Sequence, residues 1–131
     1  MTLGLAALGY KLGPFKTVHN AAGTQAAPTG NAGLDLKAAF GTWRPDSVYV
    51  TVIPSEALTI TDLTPWSRAA GQWCTTIPTG GATDITHASV AITTAKGLLF
   101  SLDLPLLERV AFSYTLDAGN VTIAIAGIYR R

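Results

Sequence analysis

Alternation with a period of two runs through much of this chain. Over residues 47–53, Val48, Val50 and Val52 fall on one side and Ser47, Tyr49 and Thr51 on the other. β-branched residues at alternating positions predict a half-buried strand, and Pro45-Asp46 and Pro54 bound it. The carboxy-terminal third repeats the pattern twice. Val110, Phe112, Tyr114 and Leu116 alternate with Ala111, Ser113 and Thr115. After Asp117-Ala118-Gly119-Asn120, Val121, Ile123 and Ile125 alternate with Thr122, Ala124 and Ala126. The turn-forming quartet between the two runs predicts a hairpin. In it Leu116 faces Val121, Tyr114 faces Ile123 and Phe112 faces Ile125, so every large apolar residue lands on one face. A second hairpin is expected from 89–93 and 98–102, with Gly97 of Thr94-Ala95-Lys96-Gly97 in a left-handed position. Shorter strands are expected at 16–19, 34–39, 58–61 and 72–76.

Helical signals are sparse. A cap-like Asp62 or Thr64 ahead of Pro65 predicts a short helix over 62–70, and 105–108 allow one further turn. The whole therefore reads as all-β: an antiparallel β-sandwich or jelly roll of about seven to nine short strands with at most one or two short helical turns. One domain over 1–131 suffices for this length. Two stretches break the alternation, 20–33 and 75–87, both small, polar and almost free of charge. Such long loops are expected to be plain surface linkers or to order against a neighbouring subunit. Residues 1–15 are a candidate interaction arm. Leu3, Leu5, Leu8 and Tyr10 are too apolar for a solvated tail, and the interspersed glycines oppose a stable helix. They suit either a first strand of the chain's own sheet or pairing with a neighbour's sheet edge.

Composition narrows the function. Charged residues make up 13% of the chain, hydrophobic ones 48%, and the net charge is +1. With no basic stripe, a nucleic-acid partner is not expected. With no apolar run near the ~18 residues that span a bilayer, neither is a membrane. The two histidines, His19 and His87, lack the companions a metal site or a catalytic triad needs, although Asp84 lies near His87 in sequence. No pair of carboxylates, Asp103 and Glu108 included, stands out as an acid–base pair. Asp35, Asp46 and Asp117 read as strand-end and turn residues. Thr79-Gly80-Gly81 is turn material and there is no phosphate-loop pattern. The single cysteine, Cys74, reads as a buried, inert thiol. No enzyme activity, cofactor or metal is expected.

Trp43, Trp66 and Trp73 carry the remaining chemistry. Trp43 and Trp66 neighbour prolines and are expected in turns at sheet ends. Tryptophans on a β-sandwich serve as core or subunit-interface anchors, or as platforms that stack on sugar rings. RPDSVYVTV (44–52) and LERVAFSYTLDAGNVTIAIAGIYR (107–130), with the low-charge, Ala/Thr/Gly-rich composition, resemble the small β-sandwich structural proteins of tailed bacteriophage virions. That resemblance covers about a third of the chain and brings no functional residues with it. It implies a non-enzymatic virion component, assembled in the host cytoplasm, that binds other virion proteins and itself as a homo-oligomer. A capsid decoration or cement protein comes first, and a minor tail or neck component second. A carbohydrate-binding module using Trp43, Trp66 or Trp73 is the third reading.

Overall fold

The computed structural model describes residues 9–19, 23–41, 47–75, 89–102 and 108–130. Within these, the chain runs β1 (Tyr10–Leu12), β2 (Lys16–His19), β3 (Leu34–Asp35), α1 (Leu36–Phe40), β4 (Ser47–Pro54) and β5 (Leu58–Ala69). It continues β6 (Gln72–Thr75), β7 (Ser89–Ile92), β8 (Leu98–Leu102), β9 (Arg109–Leu116) and β10 (Val121–Arg130). They build two five-stranded antiparallel sheets. In the first, β10 takes β1 and β2 end to end along one edge and β4 along the other, and β4 pairs on with β8. In the second, β9 lies between β3 and β5, and the far edge of β5 carries both β6 and β7. The expected all-β antiparallel sandwich is the observed architecture, with ten strands and one short helix among the described residues.

The alternation places the core. Val48, Val50 and Val52 of β4 and Val121, Ile123 and Ile125 of β10 point inward from the first sheet. Leu58, Ile60, Leu63, Val110, Phe112 and Tyr114 meet them from the second, all buried. Each such side chain contributes roughly 1.5–3 kcal/mol of apolar burial.

Both expected hairpins are corrected. β9 and β10 belong to different sheets, as do β7 and β8. The 117–120 turn carries the chain across the sandwich. Asp117 stays with the second sheet, its carboxylate accepting the Thr59 N–H at 2.7 Å. Asn120 is tied to Ser55, donating to its Oγ at 3.0 Å and accepting its N–H at 2.9 Å. Phe112 and Ile125 therefore share one core from opposite sheets instead of lying side by side. Alternation marks which residues point inward, and a facing partner satisfies that pattern as well as a lateral one. Gly97 is also needed for a different reason than expected. Its φ is not left-handed, but a Cβ there would lie 2.6 Å from the Val52 carbonyl oxygen and 2.9 Å from Ile53 Cδ1.

The helix expected over 62–70 is strand. β5 continues through it by way of a bulge: Thr61 faces Thr115, Thr64 faces Ser113, and Asp62 takes a positive φ of 54°. One extra residue shifts the phase, so Leu58 and Ile60 point inward before the bulge and Leu63, Pro65 and Ser67 after it. The cap-like Asp62 and Thr64 ahead of Pro65, which suggested a helix start, are the residues that form and follow the bulge. Pro65 is tolerated because its partner Phe112 sends its own amide the other way, to His19. The pair is a non-hydrogen-bonded one, and no N–H is required of the proline. The true hairpin joins β5 to β6 through Ala70 and Gly71, both with positive φ, 53° and 77°. The strand expected over 34–39 ends at Asp35, whose carboxylate accepts the Ala38 N–H at 3.1 Å and caps α1.

Candidate interaction surface

The two outer faces of the sandwich differ in chemistry. On the second sheet, β5 and β9 turn out Trp66, Arg68, Arg109, Ser113 and a series of threonines. Trp66 lies in the middle of β5, directly across from Ala111, with its Nε1–H donating to Ser113 Oγ at 2.8 Å. This corrects its expected place in a sheet-end turn. Trp73 lies on β6 opposite Arg68 and donates to the Gly30 carbonyl at 3.0 Å. Arg68 reaches the same carbonyl at 3.0 Å and Asn31 Oδ1 at 2.9 Å. Arg109 holds the carbonyls of Asn31, Ala32 and Gly33 at 2.9, 2.9 and 3.3 Å, and its Nη1 lies 3.5 Å from Asp35. Trp66, Trp73, Arg109 and Arg68 Nη1 thus donate to the chain's own 30–33 loop and to Ser113, while Arg68 Nε is buried 4.0 Å from the Glu108 carboxylate with no hydrogen bond among the described residues. Both indoles are half-buried. Cys74, expected to be buried, is exposed on β6, because it alternates with Trp73 on an edge strand.

The outer face of the first sheet is built otherwise. One row runs across four strands, Leu99–Thr51–Ala124–Thr17, and the next is Ser101–Tyr49–Ala126. Ile53 sits beside Thr122, and Ile128 beside Leu12. These rows contain no charged side chain. Leu99 is 67% exposed, Ile53 50% and Leu12 42%, and Phe15, in the 13–15 connection between β1 and β2, is 45% exposed. Ala126 and Ile128 on the same side are buried, at 0% and 6% exposure, so the exposed apolar groups fall in two places, Leu99 with Ile53 at one end and Leu12 with Phe15 at the other. Exposed apolar surface on a sheet marks an interaction site. Of the sequence-selected interface residues, Tyr10 opens β1 and pairs with Arg130 of the chain's own first sheet. Leu3, Leu5, Leu8 and Trp43 lie outside the described residues, as do His87, Asp84, Asp103 and most of 75–87. Ile53 and Leu99 were not singled out from the sequence. The signal was available: each is a large aliphatic residue at an outward position of a period-two strand.

Segment 23–33 packs on its own chain and lies along the edge of β9 away from β5. Gln25 and Tyr114 exchange both backbone bonds, at 3.1 and 3.0 Å, and Leu116 N–H donates to Thr24 Oγ1 at 3.0 Å. Between them, the Phe112 N–H donates to His19 Nε2 at 2.9 Å. The imidazole is therefore neutral there, with its proton on Nδ1. Burial pushes its pKa below the ordinary 6.5. It packs edge-on to Phe112 and Tyr114, with ring centroids 6.3 and 6.0 Å away.

Tyr114 Oη is buried and has no hydrogen-bond partner among the described residues, and burial raises its pKa to about 12. Tyr114→Phe is therefore expected to stabilise the fold by about 1 kcal/mol, by deleting an unsatisfied hydroxyl. The sign against pH follows from the raised value. The unfolded phenol ionises near 10 while the folded one holds its proton, so stability falls as pH rises through that window. The phenylalanine variant should lack this alkaline loss in urea titrations. An equal loss in both proteins would refute the assignment.

Among the described residues, no three of His, Cys, Asp and Glu come together as a metal-holding group, and no helix is long and apolar enough to cross a membrane. Comparison of the chain with family models, with curated proteins and with solved structures returns no match.

Proposed function

We propose that this chain is a non-catalytic structural subunit that docks on other subunits through the outer face of its first sheet. The observation that carries the reading is the uncharged surface around Leu99, Ile53 and Thr51, with its large aliphatic groups in solvent. Water penalises such a surface, and a matching uncharged surface on another subunit removes the penalty. The resemblance to small virion β-sandwiches supplies the setting: a capsid decoration protein, with a minor tail or neck component as the runner-up.

Charge placed on the face tests it. Leu99→Asp and Ile53→Asp, combined, should bury two carboxylates in any interface, weakening association roughly hundredfold, about 3 kcal/mol. The urea midpoint should stay near that of the parent, since both positions are solvent-exposed. Sedimentation of the purified protein reads self-association. Mass spectrometry of purified virions reads incorporation, with a lattice-matched copy number for decoration and a single ring's worth for tail or neck. A variant that assembles like the parent defeats the face. Absence of the wild-type protein from virions defeats the setting.

A further inference from the structure

We propose that His19 is an acid-released latch that fastens the amino-terminal strap, β2 with Thr24 and Gln25, to the edge of β9. The inference goes beyond the assembly role and does not depend on it.

The geometry is a row of alternate amides. Along its edge away from β5, β9 presents the N–H groups of Phe112, Tyr114 and Leu116, and the strap answers each of them. His19 Nε2 takes the first at 2.9 Å, the Gln25 carbonyl the second at 3.0 Å and Thr24 Oγ1 the third at 3.0 Å. Two of these acceptors are oxygens that keep their lone pairs at any physiological pH. The third is an imidazole nitrogen, which loses its lone pair on protonation. A protonated Nε2 would point its own hydrogen at the Phe112 N–H, donor against donor, and the contact would have to open.

Among the described residues nothing beside the ring offsets the charge. β2 itself carries Lys16. β10, paired with β2, brings Ile123, Ala124 and Ile125, none of them titratable. β9 brings Tyr114, a neutral phenol, in ring contact. At its far end, Arg109 faces Asp35 of β3, and the Asp35 carboxylate is also engaged by the Ala38 amide. Among the described residues no carboxylate bonds the imidazole. Burial accordingly holds its pKa low in the closed state. The open strap has an ordinary histidine near 6.5. Protons therefore favour the open form, and the latch is secure above that value and weakens as pH falls below it. Because β2 is also the edge of the first sheet, opening uncovers ladder positions on both β9 and β10, and bare edges accept strands from other chains.

Amide hydrogen exchange by NMR tests this on the intact chain, between about pH 8 and about pH 5, with intrinsic rates divided out. Protection at Phe112, Tyr114 and Leu116 should fall together by about tenfold or more in acid, beginning near the ordinary histidine pKa of about 6.5, where the open strap takes up its proton. Protection at Ala111 and Ser113, which face β5, should hold. His19→Gln keeps an acceptor near the Nε2 position but cannot titrate, and its Phe112 protection should be flat with pH. Wild-type protection that stays constant from about pH 8 to about pH 5 would overturn the latch, whether or not the glutamine variant folds. So would an equal acid loss in that variant.

Discussion

Gly33→Ala is expected to lower the unfolding free energy by about 2–5 kcal/mol, far beyond an ordinary loop substitution. Gly33 has φ +69°, a left-handed conformation that a Cβ disfavours. It also stands where the 30–33 loop passes over β9. An added Cβ would press into the Val110 carbonyl oxygen and lie 2.8 Å from Ala111 Cβ. Backbone on both sides leaves no flexible side chain to yield. Relief requires the loop to lift, and lifting it strains the Arg109 bonds to the carbonyls of Asn31, Ala32 and Gly33. Gly71→Ala is the matched control. Its φ is +77°, yet a Cβ there meets nothing within 4 Å, so it should cost only the conformational part, about 1–2 kcal/mol. Urea unfolding of both variants separates the contributions. Equal costs would mean that the close approach of loop to strand contributes nothing.

Much of the fold was legible in the chain, because burial in a sandwich imposes a period of two and these strands obey it. Val48–Val50–Val52, Phe112–Tyr114 and Ile123–Ile125 are inward in the structure as in the pattern. Lateral pairing was not legible. The same alternation describes two strands side by side and two strands face to face, so 117–120 read as a hairpin turn when it is a crossing between sheets. The bulge at Asp62 was hidden for a related reason. One inserted residue breaks the period, and Asp62 and Thr64 ahead of Pro65 carry the same residue types as a helix start, so the local sequence does not separate a bulge from a cap.

The surface was legible in part. The tryptophans drew attention by size, yet Trp66 and Trp73 pin down the chain's own second sheet. The exposed face of the first sheet emerges only once the registers set Leu99, Thr51, Ala124 and Thr17 in a row. His19 was recognised as a strand-end residue. Its bond to an amide 93 positions away has no local signature, since long-range contacts depend on the topology that alternation leaves open.

Phe112→Ala is expected to cost about 3–5 kcal/mol, a large share of the roughly 5–15 kcal/mol that stabilises a domain of this kind. Phe112 is 1% exposed and is the largest of the fully buried side chains. It stands opposite Pro65 on β5 and edge-on to His19. Three rigid neighbours surround the ring: a proline, an imidazole fixed by a hydrogen bond, and β-strand backbone on either side. Such a site collapses poorly, so the cavity should persist and the cost should lie toward the upper end. Phe112→Leu keeps most of the volume and should cost less than about 1.5 kcal/mol. The alanine variant has a second signature. It keeps the backbone amide that His19 accepts but opens the ring to water, so the depressed pKa of His19 should move back toward 6.5 while the bond itself remains possible. NMR titration of the imidazole in the two variants reads this directly. A pKa that stays low in Phe112→Ala would show that some other group, and not the Phe112 ring, keeps water from His19.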